Sequence, residues 1–281
     1  MNKEIKNIKT GIERAFYHTK DTKFINCIIN GVEDGESAFK ECRNIIMEQC
    51  EFCLRYPIWH AKKFEIINSL LHNDCRASLW YCFDGKIIDT TIDGVKALRE
   101  CHNVSINNSK INSVEFGWKS HYISLSNCEL TGEYAFLDSE HILLENVKFN
   151  GKYSFQYGDN LQITNCTLNT KDAFWHSKNV VVKDSYLKGE YLAWYSENLT
   201  LINCVIEGTQ PLCYCKNLRL INCKMINCDL SFEYSDVEAT IEGCVDSIKN
   251  PLSGHIICQE GTKVILEDCI YENNCKIEFI K

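Results

Sequence analysis

Proline is nearly absent from this chain: three residues in 281, at Pro57, Pro211 and Pro251. No stretch rich in glycine and serine interrupts the middle either. The length allows one elongated domain or two compact ones, and nothing in the composition marks a boundary. No run of about 18 apolar residues occurs, so no membrane-spanning helix is expected. The opening MNKEIKNIKTGIERAF has no apolar segment of the kind a secretory signal carries. A cytoplasmic location is expected on that ground. Basic tracts are missing and the formal charge is −8, so nucleic acid is not an expected partner. The loops GxxxxGK[ST], GxGxxG, GxSxG and HExxH are all missing. Their absence leaves nucleotide binding, serine hydrolysis and zinc proteolysis without a signature.

Cysteine, by contrast, is plentiful, at eighteen residues. In a small secreted protein that would suggest a disulfide framework. In a long chain without an export signal most read as small, buried, reduced hydrophobes. Cys50-Glu51-Phe52-Cys53 is a lone CxxC. Cys213 and Cys215 with Cys223 and Cys228 make a conceivable thiolate cluster, but Cys223 falls in a turn column on another side of the repeat. No metal and no cofactor is assigned.

The repeat itself is the strongest signal. LQITNCTLNTKDAFWHSKN (161–179) lies over VVVKDSYLKGEYLAWYSEN (180–198), nineteen residues on. With position 1 at Val104, units begin at 22, 45, 64, 85, 104, 123, 142, 161, 180, 199 and 218. The unit at 22 carries four extra residues around GVEDGES, and the unit at 64 carries two around HNDCRA. Position 3 is apolar, as in Phe24, Met47, Ile66, Val182 and Leu220. So is position 8, as in Ile29, Phe52, Leu71, Leu168 and Met225. Position 5 is Asn or Asp in ten of eleven units, and Gly recurs at position 10. The short alternating runs around position 3 read as strands. Asn and Gly recur where the chain must turn, because they tolerate a positive φ. Nineteen residues are too few for a strand plus a crossover helix. They suit one coil of a parallel β-helix whose columns become ladders. Crossovers between parallel strands are nearly always right-handed. The expected fold is therefore all-β: a single right-handed parallel β-helix of about eleven 19-residue coils. The coils would span 22–236. Residues 1–21 would form an N-terminal cap with a partial coil. Residues 237–281 would form a C-terminal cap, with a β-hairpin around Glu260-Gly261.

The motifs EDGESAFKEC, LRYPIWH, ASLWYC, VKALREC, GKYSFQY, TKDAFWHSKN, GEYLAWYSENL, GTQPLCYCKNL and SFEYSDVEATI run along essentially the whole chain. They resemble DUF3737, an uncharacterised bacterial family. That resemblance implies a pectate-lyase-like right-handed β-helix. It implies no activity and no catalytic residues.

Function has to be sought on the surface. All five tryptophans fall at position 15: Trp59, Trp80, Trp118, Trp175 and Trp194. Position 16 mixes His60, Tyr81, Glu100, Lys119, Asp138, Tyr157, His176, Tyr195 and Tyr214. A column that serves packing alone tends to become uniform; these two do not, and Arg, Lys and Gln are rarely fully buried. At least one of the columns is expected to line a groove. Position 14 is bulky and apolar, and simple alternation from it points 15 outward and 16 inward. The charges at position 16 call instead for a bend near 15–16.

Three functions fit such a face. A carbohydrate or other extended ligand would lie on Trp59, Trp80, Trp118, Tyr157, Trp175, Trp194, Tyr195 and Tyr214. A non-catalytic scaffold would use them to contact another protein or a second copy of the chain. A glycan-acting hydrolase or lyase would draw on Glu100 and Asp138, two coils and about 9.6 Å apart by strand spacing. Arg99 would then hold an acidic sugar, and His60 or His176 would act as acid or base. Against all three stands an aromatic ladder that only braces adjacent coils. His18, His72, His102, His121, His141 and His255 show no pairing in sequence.

Overall fold

A computed structural model of the chain describes residues 3–31 and 35–281. Residues 1–2 of the expected N-terminal cap and 32–34 of the four-residue insertion lie outside the described residues. Among the described residues there is no helix, so none is long and apolar enough to cross a membrane. The chain forms two compact units, Met1–Leu143 and Leu144–Lys281. Each is wound as a right-handed parallel β-solenoid, with about fourteen turns in all against the eleven counted from the repeat.

The extra turns lie at the ends of the sequence. In the first unit Lys3–Lys6 pairs parallel with Lys20–Ile25, setting Ile5 opposite Phe24. The same ladder then runs Phe24, Met47, Ile66, Ile87, Ile106, Leu125. In the second unit it runs Ile163, Val182, Leu201, Leu220, Ala239, Ile256, Ile277. Position 8 forms a second ladder, for example Phe52 on Ile29 and Leu71 on Phe52. These side chains are buried, except the terminal Ile5 and Ile277, which are half-buried. Each contributes on the order of 1.5–3 kcal/mol through the water it sheds. Volume is matched between coils. Phe64 at position 1 lies over Gly85, where an added Cβ would come within 2.1 Å of the ring.

The expected C-terminal hairpin does not form. Ser253–Gln259 pairs parallel with Asp236–Ile241 and with Asn274–Ile280, and Lys263–Ile265 pairs parallel with Ser247–Lys249. The coil shortens from nineteen residues to seventeen, Ala239 to Ile256. The turn at Gly261, φ 107°, therefore leads onward, not back. An exposed parallel edge is satisfied by another coil as well as by a reversal, and sequence spacing alone did not separate the two.

Turning is done by left-handed residues. Position 5 has φ between 46° and 57° in every described coil from Asn7 to Asn222. Asn and Asp tolerate that region, and their side chains also bond along the ladder, as Asn203 Nδ2 donates to Asp184 Oδ1 at 2.9 Å. Positions 6 and 17 point inward and carry Cys, Ser or Thr, except for Val147, Ala61 and Gly158. There the backbone N–H of one coil meets a hydroxyl of the next: Cys50 N donates to Ser69 Oγ at 3.0 Å, and Cys101 N to Ser120 Oγ at 3.1 Å. The thiols donate in turn to carbonyls, as Cys204 Sγ does to Val182 O at 3.5 Å. All eighteen cysteines are free. The buried ones therefore do more than fill space: they occupy columns where a small polar group answers a buried backbone group.

Candidate functional site

The corner at positions 12–17 carries the aromatic columns. Position 16 is left-handed throughout, with φ 51–61° from His18 through Tyr214. That conformation is rare for Tyr, His and Glu. It is held by the N–H, which donates to the position-15 carbonyl of the next coil: His60 to Trp80 O at 2.9 Å, His176 to Trp194 O at 3.0 Å. A left-handed residue breaks strand alternation, so positions 15 and 16 both face outward and position 17 turns in. The bend expected from the charges is present. Position 15 is half-buried and position 16 is the more exposed.

In the first unit the column at position 15 sets cations among indoles. Lys40 Nζ lies 4.6 Å from the Trp59 ring. Trp59 and Trp80 stack at 5.5 Å and 10°. Arg99 sits between Trp80 and Trp118, at 5.8 and 5.5 Å. Its guanidinium also meets Glu100 at 3.5 Å and Glu115 at 3.8 Å. Arg99 is thus engaged on two ring faces and by two carboxylates, and so is Glu100 by Arg99. Beside them His60 stacks on Tyr81 at 5.0 Å and on Trp59 at 5.8 Å. Asp138 stands exposed at its expected place in the position-16 column.

In the second unit the column carries no cation: Gln156 and Cys213 flank the pair Trp175 and Trp194. Trp175 and Trp194 stack at 5.5 Å and 4°. Their indole N–H groups donate to the carbonyls of Tyr191 and Gln210, both at 2.7 Å. Alongside runs a file of rings: Tyr157–His176 at 5.1 Å, His176–Tyr195 at 5.0 Å, Tyr195–Tyr214 at 4.7 Å. Tyr234 and Tyr271 extend it at 5.8 and 5.1 Å. Tyr157 is 56% and Tyr195 45% exposed. Parallel rings in full contact lie about 3.5 Å apart, so at a 5.5 Å centroid separation the two indoles are not in full face-to-face contact.

Sequence reasoning missed three features. Tyr234 extends the ring file but stands twenty residues from Tyr214, one off the frame. His102 and His121 lie 6.4 Å apart, and His141 stacks on Tyr122 at 4.4 Å. His102 and His121 are therefore neighbours, contrary to the sequence reading. The signal was present, since each of these pairs is separated by nineteen residues. The third feature is Glu51, Cys53 and His72. Among the described residues they are the one group of three ligating side chains whose donor atoms lie within 4.8 Å of one another. The thiols of Cys213, Cys215, Cys223 and Cys228 form no such group. They lie on separate ladders, each directed at backbone carbonyls.

The winding, the matched columns and the corner define a parallel β-solenoid with an aromatic edge. The chain belongs to DUF3737, described as a protein of unknown function, whose family model matches residues 3–278. No curated protein matches the chain. Solved structures similar to it include PfbA, a surface adhesin of Streptococcus pneumoniae, at 9% identity and TM-score 0.33, covering 92% of this chain and 73% of that one. An exopolygalacturonase of Thermotoga maritima matches at 9% identity and TM-score 0.31, covering 98% and 84%. The A-module of the mannuronan C-5 epimerase AlgE6 of Azotobacter vinelandii matches at 14% identity and TM-score 0.27, covering 92% and 73%. TM-scores this low carry no argument about what this chain binds or does.

Proposed function

We propose that the second unit binds an extended carbohydrate chain along Tyr157, His176, Tyr195 and Tyr214, beside the Trp175–Trp194 pair. The observation that carries this reading is the exposed ring file. Each ring presents an edge bearing a hydroxyl or a ring nitrogen, and successive edges recur once per coil. A glycan offers the complement: hydroxyls and apolar C–H faces repeated along a chain. Because the rings brace one another, little side-chain entropy is lost when a ligand settles on them. Three or four ring contacts supply on the order of 2–5 kcal/mol, which corresponds to weak dissociation constants, from tens of millimolar to a few tenths of a millimolar.

The reading stops at binding. Arg99, the cation expected to hold an acidic sugar, lies in the first unit and is engaged by Trp80, Trp118, Glu100 and Glu115. A panel of neutral and acidic oligosaccharides titrated against tryptophan fluorescence tests the proposal. A saturable change that weakens at least tenfold in Tyr195→Ala/Tyr214→Ala supports it. No response to any sugar, with an oligomeric state that changes in Trp175→Ala/Trp194→Ala, would replace it with self-association along this face.

A further inference from the structure

We infer that Glu51, Cys53 and His72 form a zinc-binding site at the opposite corner of the coil, in the first unit. Glu51 and Cys53 flank Phe52 on an extended stretch. Phe52 is fully buried, so the alternation of an extended chain turns its two neighbours outward together. Phe52 pairs with Leu71 in the next coil, which brings His72 beside Cys53. The backbone holds both in place: Cys53 N donates to Ile29 O at 2.8 Å, and His72 N to Phe52 O at 2.9 Å. Glu51 Oε2 and His72 Nε2 lie 3.3 Å apart, and all three donor atoms lie within 4.8 Å of one another. Tetrahedral zinc needs its donors about 3.5 Å apart. Small rotations of exposed or half-exposed side chains close that gap.

A second feature points to the same place. The group lies in a cleft of about 850 Å³ that Gly31 and Asp74 also line. Asp74 lies in one of the two insertions of more than one residue in the nineteen-residue frame up to residue 236, around 72–77, and Gly31 stands at the start of the other, around 31–37. In a solenoid, departures from the repeat gather on the face that binds. The CxxC motif is split by the fold: Cys50 is buried and donates to carbonyls, while Cys53 reaches the cleft. Thiolate, imidazole and carboxylate together suit zinc. Three protein ligands leave a fourth position open to the cleft for water or an anion.

The test titrates the metal-free full chain with cobalt(II), followed by zinc(II) in competition. One equivalent of cobalt should produce a thiolate-to-cobalt charge-transfer band that zinc bleaches. Cys53→Ser should lose the band, His72→Ala should weaken binding at least tenfold, and Cys275→Ser, at another half-exposed thiol, should change nothing. Mapping alkylated cysteines gives an independent reading, with zinc slowing modification at Cys53. A band that persists in Cys53→Ser, a wild-type chain without saturable cobalt binding, or alkylation of Cys53 unaffected by zinc would overturn the assignment.

Discussion

Lys40 lies over Trp59, and Arg99 fills the space between Trp80 and Trp118. No such cation caps the Trp175–Trp194 pair among the described residues; it stacks ring on ring beside a second file of rings. The first unit thus covers its indole faces with its own charges. The second leaves ring surface beside an exposed edge. The repeat frame is the same in both, so the occupants of two columns decide whether the corner is finished internally or left to a ligand. The indole nitrogens divide differently. Those of Trp175 and Trp194, and of Trp118 in the first unit, reach backbone carbonyls, whereas those of the stacked Trp59 and Trp80 are buried without an acceptor.

The largest expected effect on stability is at Trp194. Trp194→Ala removes a stacked ring and a satisfied N–H and should cost about 3 kcal/mol. The sharper version is Trp→Phe. Trp194→Phe should lose about 1 kcal/mol with its hydrogen bond. Trp80→Phe should be neutral or slightly stabilising, because it deletes a buried donor that has no partner. Equal losses in urea melts of the two Phe variants would break the distinction between the units. Next comes Arg99. Arg99→Ala should destabilise by about 1–2 kcal/mol, and Arg99→Lys should recover less than half, because an ammonium cannot lie flat between two indoles. Lys40→Ala should cost about 0.5 kcal/mol, read as a small fall in Tm.

The smallest effect is at Asp172, whose carboxyl is pushed above its ordinary pKa chiefly by burial. Such a group holds its proton more tightly folded than unfolded, so stability falls as pH rises from its unfolded value through its folded one. Asp172→Asn keeps the left-handed backbone that Asn tolerates. It should flatten that fall and gain about 0.5 kcal/mol at neutral pH. A wild type whose stability instead rises with pH across the carboxylate range, relative to the variant, would contradict this.

The winding was legible because its determinants are local and repeated. Asn at position 5 announces a left-handed turn, and the apolar residues at positions 3 and 8 fix the ladders. The direction of position 16 was less so. His, Tyr and Glu do not signal a positive φ, and only the hydrogen bond to the next coil, such as Tyr81 N to Arg99 O at 3.1 Å, holds it there. The C-terminal segment was misread because Glu260-Gly261 can end a hairpin or begin a shorter coil. Partnership of the second kind also escaped. Cys53 and His72, nineteen residues apart, look unrelated along the chain and become neighbours once the frame is used to rank ligands by column.

The account is tested most directly by one paired titration. The oligosaccharide panel is applied to the wild type, to His60→Ala/Tyr81→Ala in the first unit, and to Tyr195→Ala/Tyr214→Ala in the second. A sugar that binds the wild type and the first variant equally, and the second at least tenfold more weakly, is the predicted result. Equal weakening by both variants, or binding unchanged in the second, would contradict it.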